Sequence, residues 1–158
     1  MNESHQPGIR FVDVILTQLH FEVKGELPKE IPLGIALNYQ HQIDAESKTL
    51  LAEMKWDVFG NVPPEKRPSI EFTFTILGVF KGSEGGMALE EFSKGHAPGH
   101  LVPYARELIS NITNRSALPT LRIGPINALA LMSNGQASLV ATQRKKETIS
   151  PPNEDDAH

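Results

Sequence analysis

Residues 103–121 read PYARELISNITNRSALPTL, and their apolar side chains recur at steps of three and four. This spacing places the apolar side chains on one face of a helix. The helix should begin near Pro103, because proline is tolerated only in a first turn, and it should end near Arg115, because Pro119 bars continuation. The apolar stripe consists of Leu101, Tyr104, Ala105, Leu108, Ile109 and Ile112.

The residues that precede this helix alternate between apolar and polar with a period of two, as strands with one buried face do. Such strands favour antiparallel pairing, with helices or a partner covering the apolar face. The four predicted strands span residues 11–23, 31–39, 50–59 and 70–80. The glycine-rich bend KGSEGG follows them, and a short helix is predicted before Pro98-Gly99.

A second main helix is predicted to begin at Pro125. The turn signal Asn134-Gly135 interrupts it, and residues 137–143 are expected to resume it. A four-stranded antiparallel sheet followed by a long helix and a second, interrupted helix is an α+β fold. We expect one domain over residues 10–143, between a disordered N-terminus (1–9) and a disordered, charged C-terminal tail (144–158).

Length and composition narrow the class of protein. A chain of 158 residues is long enough for one domain with a real core, and its lack of cysteine excludes disulfides and thiolate metal sites. The start of the chain has no signal-peptide pattern, and no apolar run approaches the roughly 18 residues that span a bilayer. A net charge of −4 argues against nucleic-acid binding. We expect a cytoplasmic protein.

The sequence predicts no catalytic or metal site. His96 and His100 are four residues apart, but Ala-Pro-Gly lies between them and prevents the helical turn that would aim both rings at one ion. His20 and His41 lie in strands, where hydrogen-bonded histidines are the commoner case. The glycine-rich bend lacks the Gly-Lys-Ser/Thr ending of a phosphate loop, and no serine stands in a nucleophile elbow. We therefore predict a protein that is not an enzyme and needs no cofactor.

The fourth strand and its exit carry more apolar side chains than one strand face can bury. Two interpretations stay open for this excess. The residues are either ordinary core with a bulge at Gly78, or an apolar surface for a partner or client. The side chains concerned are Ile76, Leu77, Val79 and Phe80.

Residues 102–131, VPYARELISNITNRSALPTLRIGPINALAL, resemble the SecB family of protein-export chaperones. The likeness rests on PYARE at 103–107, ISN at 109–111, NR at 114–115 and the prolines and leucines that follow. It extends more loosely through the strands to cover roughly residues 10–132. The resemblance implies a cytoplasmic, ATP-independent holdase that keeps precursors unfolded and passes them to the SecA motor. It also implies a homotetramer, a dimer of dimers, with the long helix of each protomer between two sheets.

The resemblance and the apolar pattern together suggest three groups of site residues. The client-binding residues are expected to be Leu77, Val79, Phe80, Leu129 and Met132. The oligomer interface is expected to contain Leu101, Tyr104, Leu108, Ile109 and Ile112. SecA docking is expected to use Glu22 and Glu71.

The sequence departs from the family pattern on the acidic face that docks SecA. Gln18 and Thr73 stand where acidic residues are expected, so docking should be weak. The family also includes chaperones that serve toxin–antitoxin systems, and a dedicated chaperone of that kind is the alternative within the family. An oligomeric adaptor that binds one folded partner is the alternative from another class.

Overall fold

The computed structural model describes residues 8–24, 30–60, 70–116, 118, 120–122 and 136–142, with the main chain alone at 30–32 and 136–142. The described strands form one antiparallel sheet in the order β1-β4-β3-β2-β5. The predicted α+β fold, an antiparallel sheet with helices following it, is confirmed. The elements are β1 (Arg10–Val23), β2 (Glu30–Asp44), β3 (Thr49–Gly60), β4 (Ile70–Lys81), α1 (Leu89–Gly95), α2 (Ala97–Asn114) and β5 (Gln136–Thr142).

The core lies on the face of the sheet that α1 and α2 cover, which we call the inner face. Period-two alternation places one set of side chains from each strand on this face, as the sequence predicted. The pattern is clearest in the central strand β3, where alternate residues are fully buried. The buried apolar side chains of β2, β3 and β4 are Leu33, Ile35, Leu37, Leu50, Ala52, Met54, Trp56, Val58, Ile70, Phe72, Phe74, Ile76 and Phe80.

Gly78 continues the regular register of β4, opposite Val14 of β1 and Ala52 of β3, so the predicted bulge at this residue is wrong. The glycine has a packing reason instead. A Cβ atom at Gly78 would lie 2.6 Å from Leu101 Cδ2 and 2.9 Å from Phe80 Cε2. The missing side chain therefore allows α2 to approach the inner face.

We expect Gly78→Ala to lower the free energy of unfolding by roughly 1–3 kcal/mol, because the added methyl group overpacks the contact with Leu101. Denaturant unfolding monitored by circular dichroism measures the change. The control is Gly99→Ala in α2, where no neighbouring atom lies within 4 Å of the new Cβ. The control should be neutral or stabilising, since alanine favours helix over glycine. Equal effects of the two substitutions would contradict the packing account.

Helix α2 begins at Ala97, well before the predicted start at Pro103. Pro98 fills the first-turn position that suits proline, whereas Pro103 lies inside the helix. Burial of the neighbouring Leu101, Val102 and Ala105 offsets the hydrogen bond that Pro103 cannot make. The helix ends at Asn114, next to the predicted end, and α1 is the predicted short helix.

Residues 136–142 form strand β5 and do not resume a helix, so the expected continuation at 137–143 is wrong. The strand pairs with β2 from Gln136 opposite Ala36 to Thr142 opposite Glu30. Asn134-Gly135 is a turn signal, and the β-branched residues that follow it favour a strand. The predicted second helix, including Leu129 and Met132, lies outside the described residues, as do most of the predicted disordered ends.

Candidate functional site: an apolar edge strand and the outer face of the sheet

Strand β1 is an edge of the sheet and exposes large apolar side chains. Among the described residues, β4 pairs with one edge of β1 and no strand pairs with the other. A long apolar edge of this kind is a template for association. Side-chain exposure is 47% for Val12, 43% for Ile15, 44% for Leu16, 42% for Leu19 and 43% for Tyr104 of α2.

Two bulges shape this edge. The register between β1 and β4 shifts between Phe11 and Asp13 and again between Leu16 and Gln18. Thr17, in the second bulge, donates a hydrogen bond from its hydroxyl to the carbonyl oxygen of Thr75, at 3.2 Å. Bulges increase twist and bend a strand, so apolar side chains of β1 point to both sides of the sheet.

Helix α2 presents two apolar faces, and the predicted oligomer interface is divided between them. Leu101 and Ile109 are fully buried against the inner face, so their assignment to an interface is corrected: they belong to the core of the protomer. Tyr104 is exposed, and Leu108 and Ile112 are half-buried at the margin of the core. The apolar stripe of α2 is therefore wider than its contact with the sheet requires, as expected for a helix that packs against two apolar surfaces.

The outward side of α2 is continuous with β1. The rings of Phe11 and Tyr104 are stacked, with centroids 5.5 Å apart and an interplanar angle of 10°. Stacked aromatic pairs add to the stabilisation that apolar burial provides. The exposed edge of β1 and the outward side of α2 therefore form one surface, which we call the β1–α2 surface.

Phe80 is fully buried, so its assignment to a client-binding surface is corrected. Its ring centroid is 4.7 Å from that of Phe11 and 5.2 Å from that of Phe92, both in edge-on contacts. The strand continues straight through Gly78, so Phe80 keeps the parity of Ile76 and faces inward. The bend that would have turned Phe80 outward is absent.

Leu77 and Val79 lie on the opposite, outer face of the sheet and are half-buried. Leu77 is opposite Ile15 of β1, and Val79 is opposite Leu51 of β3. Side chains directly opposite on neighbouring strands contact each other. These four residues form what we call the outer apolar patch.

The two predicted docking acids, Glu22 and Glu71, face each other across β1 and β4. His20 Nε2 lies 3.6 Å from a carboxylate oxygen of each glutamate, and Lys24 Nζ lies 3.8 Å from Glu22 and 3.7 Å from Glu71. Like charges directly opposite on a sheet repel, so the basic groups compensate them. One ligand atom each from His20, Glu22 and Glu71 lies within 4.8 Å of the others, close enough to share a metal ion, but Lys24 already supplies a positive charge.

Polar contacts from β2 hold α1 on the sheet. The Tyr39 hydroxyl donates to the carbonyl oxygen of Ser93 at 2.8 Å, and burial raises the pKa of Tyr39 to about 12. His41 Nε2 lies 3.4 Å from Glu90 Oε2, and this hydrogen bond lowers the pKa of Glu90. His41 is thus hydrogen-bonded in its strand, as the sequence predicted.

His96 and His100 also take part in packing, since both rings stack on Phe92. The centroid distances are 5.6 Å for His96 and 5.7 Å for His100. Along α1 and the start of α2, histidines therefore cover the aromatic core.

The sequence analysis did not predict that β1 contributes exposed apolar side chains to the β1–α2 surface. A signal was present, because Val14, Ile15 and Leu16 are three successive apolar residues and a strand with one buried face needs only alternate ones. Such a run requires cover on both sides of the strand. The protomer covers only one of them.

The chain is similar in sequence to SecB proteins over part of its length. No family model matches it. The protein-export protein SecB of Haemophilus ducreyi is 37% identical over 78 residues, covering 47% of this chain and 45% of that protein. SecB of Histophilus somni is 31% identical over 112 residues, covering 63% and 64%. The chain thus matches about half to just under two thirds of the length of these relatives.

One solved structure agrees in fold. It is a SecB-like chaperone of Mycobacterium tuberculosis in complex with an antitoxin peptide, with a TM-score of 0.58 and 18% sequence identity. The alignment covers 75% of this chain and 90% of that one. In the described part of the chain, no helix has the length and apolarity that crossing a membrane requires. The chain is therefore similar in sequence to SecB over part of its length, and similar in fold to a SecB-like chaperone.

Proposed function

We propose that the protein is an ATP-independent molecular chaperone, a holdase, that binds non-native polypeptides in the cytoplasm. The observation that carries the proposal is the outer apolar patch, where Leu77 and Val79 are half-buried and Ile15 is exposed, in a protein whose sequence and fold resemble those of SecB proteins. Exposed apolar surface of this kind marks a site for protein partners. The activity is binding without catalysis and needs no metal, nucleotide or other cofactor.

The clients that we propose are precursors for export, which the protein would pass to the translocation motor SecA. Glu22 and Glu71 are the acidic residues proposed to dock the motor. Because Lys24 Nζ lies within 3.8 Å of both carboxylates, the negative charge presented to a basic partner is reduced. Docking should therefore be weak, since rim charges chiefly set the rate of encounter.

A second candidate is a chaperone dedicated to an antitoxin. The structural neighbour from Mycobacterium tuberculosis carries an antitoxin peptide, and this observation favours the alternative over other specialised roles. An oligomeric adaptor for one folded partner is the remaining alternative. The breadth of clients separates these functions, because an export chaperone holds many sequences and the other two hold one.

Assembly into a homotetramer, a dimer of dimers, is part of the proposal. The β1–α2 surface would bury its exposed side chains against further copies of the chain. Edge strands and apolar helix faces both favour closed, symmetric assembly, because a closed assembly leaves neither open to other proteins. Tyr104, Leu108 and Ile112 are the predicted interface residues that stay exposed or half-buried in the protomer.

The proposed function is tested by an aggregation assay without nucleotide, using several unrelated proteins diluted from denaturant. We expect the protein to reduce light scattering for each of them at near-stoichiometric ratios. Retention of one protein alone would contradict the general role and favour the dedicated one. Failure with every unfolded protein would contradict the chaperone function.

We expect the double substitution Leu77→Ser and Val79→Ser to weaken client binding several-fold without changing assembly. Both residues lie in the outer apolar patch, and burying one large client side chain is worth roughly 1.5–3 kcal/mol. The aggregation assay and light scattering measure the two effects. The control is Thr73→Ser, on the same strand and face. Unchanged holdase activity in the double variant would place the client site elsewhere.

A further inference from the structure

Three side chains that can ligate a metal ion converge on the outer face of the sheet, near the end of β1. His20 and Glu22 lie two residues apart on β1, and Glu71 lies opposite Glu22 on β4. One ligand atom from each lies within 4.8 Å of the other two. Among the residues that the structure describes, no other three imidazole or carboxylate groups converge this closely. The imidazole distinguishes this cluster from an ordinary patch of acidic side chains.

The bulge at Thr17 places two of these side chains on the outer face. Before the bulge, Leu16 lies opposite an inward-facing residue of β4, and a regular strand would continue that alternation to His20 and Glu22. The extra residue reverses the alternation, so that Phe21 packs against the core and its two neighbours turn outward. Bulges commonly re-aim side chains in this way.

The separations within the cluster suit a small divalent cation. His20 Nε2 lies 3.6 Å from Glu22 Oε2 and 3.6 Å from Glu71 Oε2. Zinc binds imidazole nitrogen and carboxylate oxygen at about 2.0–2.2 Å, so neighbouring ligand atoms of a tetrahedral site are about 3.3–3.6 Å apart. An imidazole suits zinc and related transition metals, whereas calcium and magnesium prefer oxygen ligands alone. Because the three side chains are partly exposed, water can supply the fourth ligand.

Lys24 is the group that a metal ion must displace. Its Nζ lies 3.8 Å from Glu22 Oε2 and 3.7 Å from Glu71 Oε1. Carboxylates directly opposite each other on a sheet repel, and the ammonium group reduces that repulsion. The lysine side chain is flexible and partly exposed, so it can move into water when a doubly charged ion takes over this role. Lys24 therefore lowers the affinity for a metal ion without blocking the site.

We propose that His20, Glu22 and Glu71 form a binding site for a divalent transition metal ion such as zinc, which cross-links the end of the edge strand β1 to β4. The ligands stand on paired strands, so their main-chain positions are fixed before the ion binds. This order lowers the entropic cost of binding. The inference does not rest on the chaperone function proposed above, which needs no metal.

Zinc chloride is the probe, and calorimetry and NMR of the imidazole groups measure its binding to the full chain. We expect the ring resonances of His20 to shift in proportion to the heat of binding. His20→Gln removes the nitrogen ligand and should weaken zinc binding at least roughly tenfold, since even the loss of a group that orients a ligand costs that much. The matched control is His41→Gln, which removes a histidine beside a single carboxylate, that of Glu90, and should leave the affinity unchanged.

Two lysine substitutions test the competition with Lys24. Lys24→Gln should tighten zinc binding several-fold, because the two carboxylates lose the ammonium group that an ion must displace. The control is Lys55→Gln, which removes the same charge from the outer face at a position opposite Thr75, away from the cluster. Equal zinc affinity in the two lysine variants would contradict the displacement.

The substituted side chains are partly exposed, so the variants should keep the fold, which circular dichroism verifies. If His20→Gln does not fold, Glu71→Gln removes a different ligand and carries the same expected loss. Equal zinc affinity in His20→Gln and His41→Gln would show that the ion binds elsewhere and would overturn the inference. Binding that needs a large excess of zinc and leaves the His20 ring unshifted would overturn it as well.

Discussion

Ile109→Asp is expected to unfold the protomer, whereas Leu108→Asp, one position earlier in α2, is expected to leave it folded. Ile109 is fully buried against the sheet, so the carboxylate would stand unpaired in the core. A buried, unpaired charge costs several kcal/mol, which is a large share of the roughly 5–15 kcal/mol that stabilises a domain. Leu108 is only half-buried at the margin of the core, so the carboxylate can reach water.

Circular dichroism and thermal melting measure the first effect, and light scattering measures the second. Leu108→Asp should melt within a few degrees of the unmodified protein and show reduced association. Ile109→Val is the matched control, with an expected loss of roughly 0.5–1.5 kcal/mol. If Leu108→Asp and Ile109→Asp both fold and lose association to the same extent, Ile109 lies in the interface and not in the protomer core.

The sheet was predictable because its central strands obey one rule. Leu50, Met54, Trp56 and Val58 alternate with polar residues, and a strand with neighbours on both sides turns every apolar side chain of that set inward. The same rule, continued past Gly78, would have placed Phe80 inside. Phe80 was wrongly assigned because Gly78 was treated as a bend in the strand. The glycine is instead needed because Leu101 approaches the sheet at this position.

The division of α2 into a core side and an outward side was not predictable from spacing alone. The stripe from Leu101 to Ile112 has the same period whether one partner or two cover it. Only the position of α2 on the sheet shows that Leu101 and Ile109 face inward and that Tyr104 faces outward. Strand β5 was missed for a related reason, since a segment of seven residues is too short to distinguish a strand from a helix until a neighbouring edge is known to be free.

We expect the double substitution Leu16→Lys and Leu19→Lys to weaken self-association more than a hundredfold and to leave the protomer folded. Both side chains are more than 40% exposed on the unpaired edge strand, and lysine on an edge opposes strand pairing. In a two-fold symmetric interface each substitution occurs twice, so four apolar contacts are lost. At roughly 1 kcal/mol for each half-buried leucine, the loss reaches several kcal/mol.

Light scattering reads the result as a multiple of the 17.4 kDa protomer mass. The control is Gln18→Lys, which adds one positive charge, half the change of the double variant, to the same exposed strand without removing an apolar side chain. Assembly of the double variant equal to that of the control would contradict a role for the β1 edge. The assembly could contain two kinds of interface, with Leu108→Asp disrupting one and the β1 double variant disrupting the other. In that case each variant should form a dimer. Combining them should then give a folded monomer, because each of the two interfaces would carry a charge in place of an apolar side chain.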